Sequence, residues 1–159
     1  MTYQNEIESA KDAALRLLTF CPRSIKEISD RLREKGFSKE AIEKSIIRLK
    51  EIGYLDDLKF TKNWINSSLE KNPVSIKVIK EQLISKGIDG KTIEEALLDL
   101  KEVLDEYRMA KRLLAKRLEV LGDLDQVKVL KKAYPYLKRR GFSDEVIERV
   151  LREKFDIEM

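Results

Sequence analysis

Basic side chains are concentrated in the last third of this 159-residue chain. Residues 107–159 carry 14 Lys or Arg against 9 Asp or Glu, a net charge of +5, and seven of those basic residues are arginine. Arginine engages a phosphate or a carboxylate with a fixed fork of donors, whereas lysine offers a mobile point charge. Eleven of these basic residues fall into three clusters: Arg108, Lys111, Arg112, Lys116 and Arg117; Lys128, Lys131 and Lys132; and Lys138, Arg139 and Arg140.

Helical spacing places most of the first cluster along one side of a helix and the second cluster on the next helix. Tyr134 and Tyr136 lie between the second and third clusters, so a mixed basic and aromatic face could contact phosphates and stack on exposed bases. Pro135 predicts a kink or an end of that helix. The alternative is that the charges are solvated and balanced by nearby acids, while both tyrosine rings pack in the core.

The pair Asp56 and Asp57 is a second candidate site. Asp56 can cap the helix that follows, and Asp57 favours the positive end of that helix dipole. The other interpretation is a contact with basic residues of a partner. Both interpretations stay open for both residues.

The chain has no histidine and a single cysteine, Cys21. Catalysis that relies on a histidine base, an intramolecular disulfide and a metal cluster held by several thiolates are thereby excluded. Chemistry based on carboxylates or lysine alone stays formally possible, but the acids are dispersed among bases as on solvated helix faces. We therefore expect no enzyme activity, no catalytic residue, no cofactor and no metal site.

Charged residues make up 39% of the chain and apolar residues 42%, with six glycines and three prolines. This composition favours helices with charged outer faces over long strands. No apolar run approaches the ~20 residues needed to cross a bilayer, and no charged segment followed by an apolar stretch opens the chain. We expect a cytoplasmic protein without membrane association.

One sequence pattern occurs three times along the chain. A leucine, three residues, a glycine, an apolar residue and a helix-capping residue recur as Leu32–Ser38, Leu83–Asp89 and Leu137–Ser143. Isoleucine follows each glycine by six positions, which is helical spacing. A glycine after the last turn adopts the left-handed conformation at little cost, and Ser or Asp then caps the next helix. The pattern predicts a helix-turn-helix corner used three times.

A three-helix unit of about 50 residues fits this spacing. We expect the first helix of each unit over Ala10–Thr19, Asp57–Leu69 and Tyr107–Leu121. In the first copy, Ser24 and Glu27 are spaced as a capping box. The predicted fold is all-α, with three tandem three-helix, helix-turn-helix-like repeats in an elongated, curved array. The predicted divisions are residues 1–55, residues 56–106 and the basic residues 107–159.

The residues of these repeats resemble the RecX regulators of the RecA recombinase over roughly Ala10 to Leu151. The resemblance rests on Pro22–Ile28, Leu32–Ser38, the two later glycine corners and above all Gly53–Phe60, which reads GYLDDLKF. Cys21 and Thr61 depart from the family pattern. These departures affect only local contacts beside them.

The resemblance implies a non-enzymatic modulator that binds RecA and the RecA–single-stranded DNA filament. It further implies inhibition of RecA's ATPase, coprotease and strand-exchange activities, and so a part in DNA repair, recombination and the SOS response. We expect a monomer with weak direct DNA binding at most.

Two other functions stay open. A helix-turn-helix transcription regulator would read bases with Arg, Asn or Gln at the start of one helix. The helices after the three glycines instead begin Ser-Lys-Glu, Asp-Gly-Lys and Ser-Asp-Glu, which suit a phosphate-lined groove poorly. A scaffold that binds only proteins is the third possibility. A steep loss of DNA binding with salt would argue against the scaffold.

Overall fold

The computed structural model describes residues 2–157, and within that range the chain forms nine α-helices. The all-α prediction with three three-helix repeats is confirmed. The helices are α1 Tyr3–Phe20, α2 Ile25–Glu34, α3 Lys39–Glu51, α4 Asp57–Lys71, α5 Ile76–Ser85, α6 Gly90–Asp99, α7 Glu106–Leu121, α8 Gln126–Arg139 and α9 Asp144–Phe155.

The start of α1 and the course of α8 differ clearly from the sequence prediction, whereas the other predicted bounds agree within two residues. Helix α1 begins seven residues before Ala10, because Thr2 caps it by accepting the Asn5 N–H and Ile7 is buried on its inner side. Of the two outcomes predicted for Pro135, a kink or a helix end, the end is wrong, because α8 continues through Pro135 to Arg139. Proline removes one hydrogen-bond donor to the preceding turn, but buried Ala133 and Leu137 hold the helix on both sides.

The described residues form two compact units, one within Met1–Asn63 and Leu83–Ala96, the other within Trp64–Gln82 and Leu97–Met159. In the first unit, α1 packs against α2 and α3. Its core includes Ala10, Ala14, Ile28, Leu32, Ile42, Leu49 and Leu55. In the second unit, α7, α8 and α9 pack on one another. Their buried residues include Met109, Leu113, Val129, Leu137, Ile147 and Leu151.

All three predicted corners have the same backbone structure. Gly36, Gly87 and Gly141 have φ of +90°, +82° and +90°. In each corner the residue after the glycine donates its N–H to the carbonyl of the leucine five positions earlier, at 3.1 to 3.4 Å. Ser38, Asp89 and Ser143 then cap the following helices. The glycines therefore serve the fold, as the repeat pattern predicts.

Two of these corners each receive the amino terminus of the second helix of the preceding repeat. In the first unit, α2 begins at the Gly87 corner, where the Ser24 hydroxyl donates to the Lys86 carbonyl at 2.6 Å. In the second unit, α5 begins at the Gly141 corner, where the Ser75 N–H donates to the Arg140 carbonyl at 3.0 Å. We call these contacts the first and second repeat joints.

An acidic residue completes each repeat joint. Asp57 accepts the Ile25 N–H at 2.9 Å, and Glu106 accepts the Ile76 N–H at 2.8 Å. Each acid is the first residue of the helix that opens the next repeat. The two joints thus satisfy the same otherwise unpaired donor of a helix start in the same way.

Candidate partner-binding surface

The exposed side of α8 carries five cations, with Pro135 among them. Helix geometry places them opposite the buried Val129, Ala133 and Leu137, and all five are exposed. Helix α8 contains no acidic residue. We call this surface the α8 basic face; it consists of Lys128, Lys131, Lys132, Lys138 and Arg139.

Three members of the α8 basic face carry no internal charge partner. Lys128 pairs with Asp125 at 3.3 Å, and Lys138 pairs with Asp144 at 2.8 Å, both at the surface. Lys131, Lys132 and Arg139 form no ion pair with any residue of 2–157. Exposed ion pairs contribute only about 0–1 kcal/mol, so the two paired lysines can also turn to an external anion.

The basic residues of α7 are more engaged inside the protein. Arg108 pairs with Asp105 at 3.5 Å and Lys111 with Glu153 at 2.8 Å. Arg112 donates to the Leu69 carbonyl at 3.4 Å. Lys116 is exposed and forms no ion pair within the described range. The exposed side of α7 is therefore a weaker candidate for external anions than the α8 basic face.

Arg117 and Arg140 lie apart from the other predicted cations. Both are half-buried, and their guanidinium carbons lie 4.9 and 5.3 Å from the centroid of the Tyr136 ring. Each such contact stabilises the fold by about 0.5–1 kcal/mol. These two arginines therefore fix Tyr136 within the third repeat and are not part of the exposed basic surface.

Tyr134 is also held by an internal contact. Its hydroxyl donates to Asp144 Oδ1 at 2.6 Å, and Lys138 donates to the same oxygen at 2.8 Å. The bond to Asp144 raises the pKa of Tyr134 to about 12. Donation from Lys138 and then Tyr134 lowers the pKa of Asp144 below its ordinary value of 3.8. This cluster ties the end of α8 to the start of α9.

Asp56 and Asp57 both accept backbone hydrogen bonds. Asp56 accepts the Lys59 N–H at 3.1 Å, as a helix cap does, and its side chain is exposed. Asp57 is half-buried and belongs to the first repeat joint, and burial raises its pKa. Its contact with Ile25, 32 positions away, could not be read from local spacing. The sequence feature that could have indicated this contact is the acid Glu106, which occupies the position equivalent to Asp57 in the next repeat.

The described residues contain no group of three or more His, Cys, Asp or Glu side chains that could hold a metal ion. Cys21 is an exposed free thiol. Within the same residues, no helix is long and apolar enough to span a bilayer.

Comparison with known proteins identifies one family along the chain. The family model described as "RecX, first three-helix domain" matches residues 10–49. Regulatory protein RecX of Legionella pneumophila is 32% identical over 144 residues, which cover 91% of this chain and 93% of that protein. Regulatory protein RecX of Streptomyces lividans is 29% identical over 155 residues, covering 98% of this chain and 82% of that protein.

A solved structure shares the fold over nearly the whole chain. The crystal structure of RecX from Lactobacillus salivarius superposes with a TM-score of 0.79 at 25% identity. The superposition covers 97% of this chain and 99% of that one. The similarity therefore includes all three repeats and extends well beyond residues 10–49.

Proposed function

This chain belongs to the RecX family, and we propose that it binds the RecA recombinase and the RecA–single-stranded DNA filament. In this proposal the bound protein inhibits the filament's ATPase, coprotease and strand-exchange activities. It thereby modulates DNA repair, recombination and the SOS response. The named relatives are regulatory proteins, which supports action by binding instead of catalysis.

The α8 basic face is the observation that supports this proposal most strongly. Five exposed cations on one helix, three without an internal partner, suit a polyanion such as a DNA backbone or an acidic protein surface. A filament of RecA on DNA presents both kinds of surface. We propose that the third repeat supplies the electrostatic part of the contact.

The inhibition can be tested through RecA's ATPase activity on single-stranded DNA at low salt. Equimolar wild-type protein is expected to lower the rate. Lys132→Glu with Arg139→Glu changes the α8 basic face by four charge units, so inhibition should require at least ~10-fold more protein, roughly 1.4 kcal/mol of binding free energy.

Arg16→Glu with Lys50→Glu is the matched control. Both side chains are exposed in the first repeat, neither forms an ion pair within the described part of the chain, and the total charge change is the same. This control should inhibit like the wild type. An unchanged ATPase rate with the wild-type protein would refute the proposed inhibition, and equal loss in both double variants would refute the role of α8.

Coprecipitation with RecA identifies the filament state that is bound. The protein should sediment with RecA in the presence of single-stranded DNA and nucleotide, and less when either is omitted. Sedimentation with bare DNA alone would point to a nucleic-acid-binding function without RecA. Sequence-selective retention of duplex DNA would support the helix-turn-helix regulator.

A further inference from the structure

The same corner occurs three times in the chain, but only two copies hold a helix start. In the first repeat joint, the Ser24 hydroxyl bonds the Lys86 carbonyl and the Lys86 ammonium pairs with Glu27 at 2.9 Å. A Cβ on Gly87 would overlap the side chain of Lys26. The corner therefore recognises a capped helix start through a carbonyl, a cation and the missing side chain of glycine.

The second repeat joint shares the carbonyl and the glycine of the first but not its ion pair, since the third residue of α5 is Val78 and Arg140 packs on the Tyr136 ring. The Arg140 carbonyl accepts the Ser75 N–H, and a Cβ on Gly141 would overlap Ser75 and Val78. Ile88 and Phe142, which follow the two glycines, are 3% and 2% exposed. A docked helix start thus accompanies a buried apolar residue in both joints.

The corner at Gly36 has the same backbone but no helix start against it. A Cβ on Gly36 would meet no atom within 4 Å. Phe37 is only half-buried, unlike Ile88 and Phe142. Lys35, the counterpart of Lys86, is exposed and forms no ion pair or side-chain hydrogen bond with any described residue. The corner glycine and Lys35 are therefore accessible here, whereas α1 supplies no acid that corresponds to Asp57 and Glu106.

We propose that the corner Lys35–Gly36–Phe37 docks the amino terminus of an α-helix of a partner protein. The docked helix carries a Ser or Thr cap and a Glu at its third position. Its cap donates to the Lys35 carbonyl, and its Glu pairs with the Lys35 ammonium, as Ser24 and Glu27 do with Lys86. The proposal rests on the proposed function only in placing that helix on the RecA filament.

A second copy of this chain fits the open corner poorly. The accessible helix start without a joint in the third repeat is that of α8, whose cap is Asp125 and whose third residue is Lys128. Lys128 would face Lys35, a pair of like charges where Glu27 faces Lys86. In addition, α1 begins with Tyr3, where α4 and α7 begin with the joint acids Asp57 and Glu106. The α8 start of a copy could therefore not reproduce the Glu27–Lys86 ion pair, and the joint acid is absent whichever helix docks.

The test uses full-length variants on the RecA–single-stranded DNA filament. Gly36→Asn places a side chain where Lys26 lies at the Gly87 corner, and asparagine tolerates a positive φ. Lys35→Glu reverses the cation of the corner. Each change should weaken filament binding by roughly tenfold or more, the effect expected for a central contact.

Gly53→Asn is the matched control, since Gly53 has φ +83° and would also meet no atom within 4 Å. It carries the same backbone cost outside the corner, so it should bind like the wild type and match the urea midpoint of Gly36→Asn. Wild-type affinity in Lys35→Glu and Gly36→Asn would overturn the docking site. Altered self-association in these variants, with unchanged filament binding, would overturn the assignment to a partner.

A second measurement tests the corner without RecA. A helix-stapled peptide with the sequence of residues 24–34, which is this chain's own ligand for the Gly87 corner, is added to the ¹⁵N-labelled protein at up to about 1 mM. The amide signals of Gly36 and Phe37 should shift, and those of Gly53 should not. A Glu27→Lys peptide should shift them less. Unshifted signals would overturn the docking site, whereas a wild-type protein that ignores RecA would refute only the proposed function.

Discussion

The first and third repeats contain the same type of glycine corner. The helix before that corner differs in the charge of its exposed side. Counted back from the corner glycine, the acids Glu27, Asp30 and Glu34 of α2 correspond to Lys132, Pro135 and Arg139 of α8. In α2, Asp30 pairs with Arg33 at 3.1 Å, and Arg31 with Glu34 at 3.4 Å. Helix α2 is thus neutralised by its own residues, whereas α8 has no acid at all.

The buried sides of the two helices differ far less. Ile28 and Leu32 of α2, and Ala133 and Leu137 of α8, are all 0% exposed. Packing and the corner constrain only the inner side of each helix, so the outer side can change its charge without loss of the fold. We therefore expect the different outer sides to affect binding and the similar inner sides to affect stability.

The largest expected effect tests the shared inner side. Leu32→Ala and Leu137→Ala each remove a fully buried side chain at the same position of the corner. Each should lower the free energy of unfolding by about 2–5 kcal/mol, measured by urea denaturation. A large cost in one repeat with none in the other would show that the two corners are not equivalent.

Substitution of the corner glycines by alanine should cost more stability at a corner that holds a helix start than at the open corner. Gly36→Ala carries only the left-handed backbone cost, about 1–2 kcal/mol. Gly141→Ala adds the overlap with Ser75 and Val78, about 1–3 kcal/mol more. Equal urea midpoints for the two variants would contradict the second repeat joint.

The salt dependence of DNA binding compares the α8 basic face with the exposed cations of the first repeat. If the five cations of the α8 basic face contact phosphates, the log–log slope of single-stranded DNA binding against salt should be about −3.5. Lys131→Ala with Lys132→Ala should reduce its magnitude by about 1.4. Arg16→Ala with Lys50→Ala should leave it unchanged. A slope that falls equally in both pairs would assign the contact to net charge alone.

The smallest expected effect is a pair of pKa shifts of opposite sign, at Asp57 and at Asp144. Burial raises the pKa of Asp57, so its stabilising contribution is complete below the ordinary value of 3.8 and is lost as pH rises through its folded pKa. Lys138 and Tyr134 lower the pKa of Asp144, so its contribution is present above 3.8 and is lost as pH falls through its folded pKa. Carboxyl NMR titration of both residues checks this, and pKa shifts of the same sign would contradict it.

The sequence predicted the helical class, the corners and the capping box of Ser24 and Glu27, because these depend on residues within one or two turns. It could not predict the repeat joints, since Ser24 meets Lys86 across 62 positions. The early start of α1 was missed because a single Thr cap precedes a mostly polar first turn. The end predicted at Pro135 failed because tertiary packing outweighed a local preference.

The candidate surface was predicted as clusters on helices, but not as which of their residues are exposed. Charge clustering selected eleven candidate basic residues, yet it could not separate exposed Lys131 and Lys132 from Arg117 and Arg140 beside Tyr136. An arginine on the inner side of a helix and one on the outer side look alike in composition. The open corner at Gly36 was visible only by comparison with its two occupied copies.

Site-specific photo-cross-linking locates the partner on the surface of this protein. A benzophenone amino acid is placed at position 132 on the α8 basic face or at exposed position 16 in the first repeat, and each protein is irradiated with the RecA–single-stranded DNA filament. We predict adducts with RecA or DNA from position 132 and few from position 16. Adducts from position 16 with none from position 132 would contradict the assignment of the contact to α8.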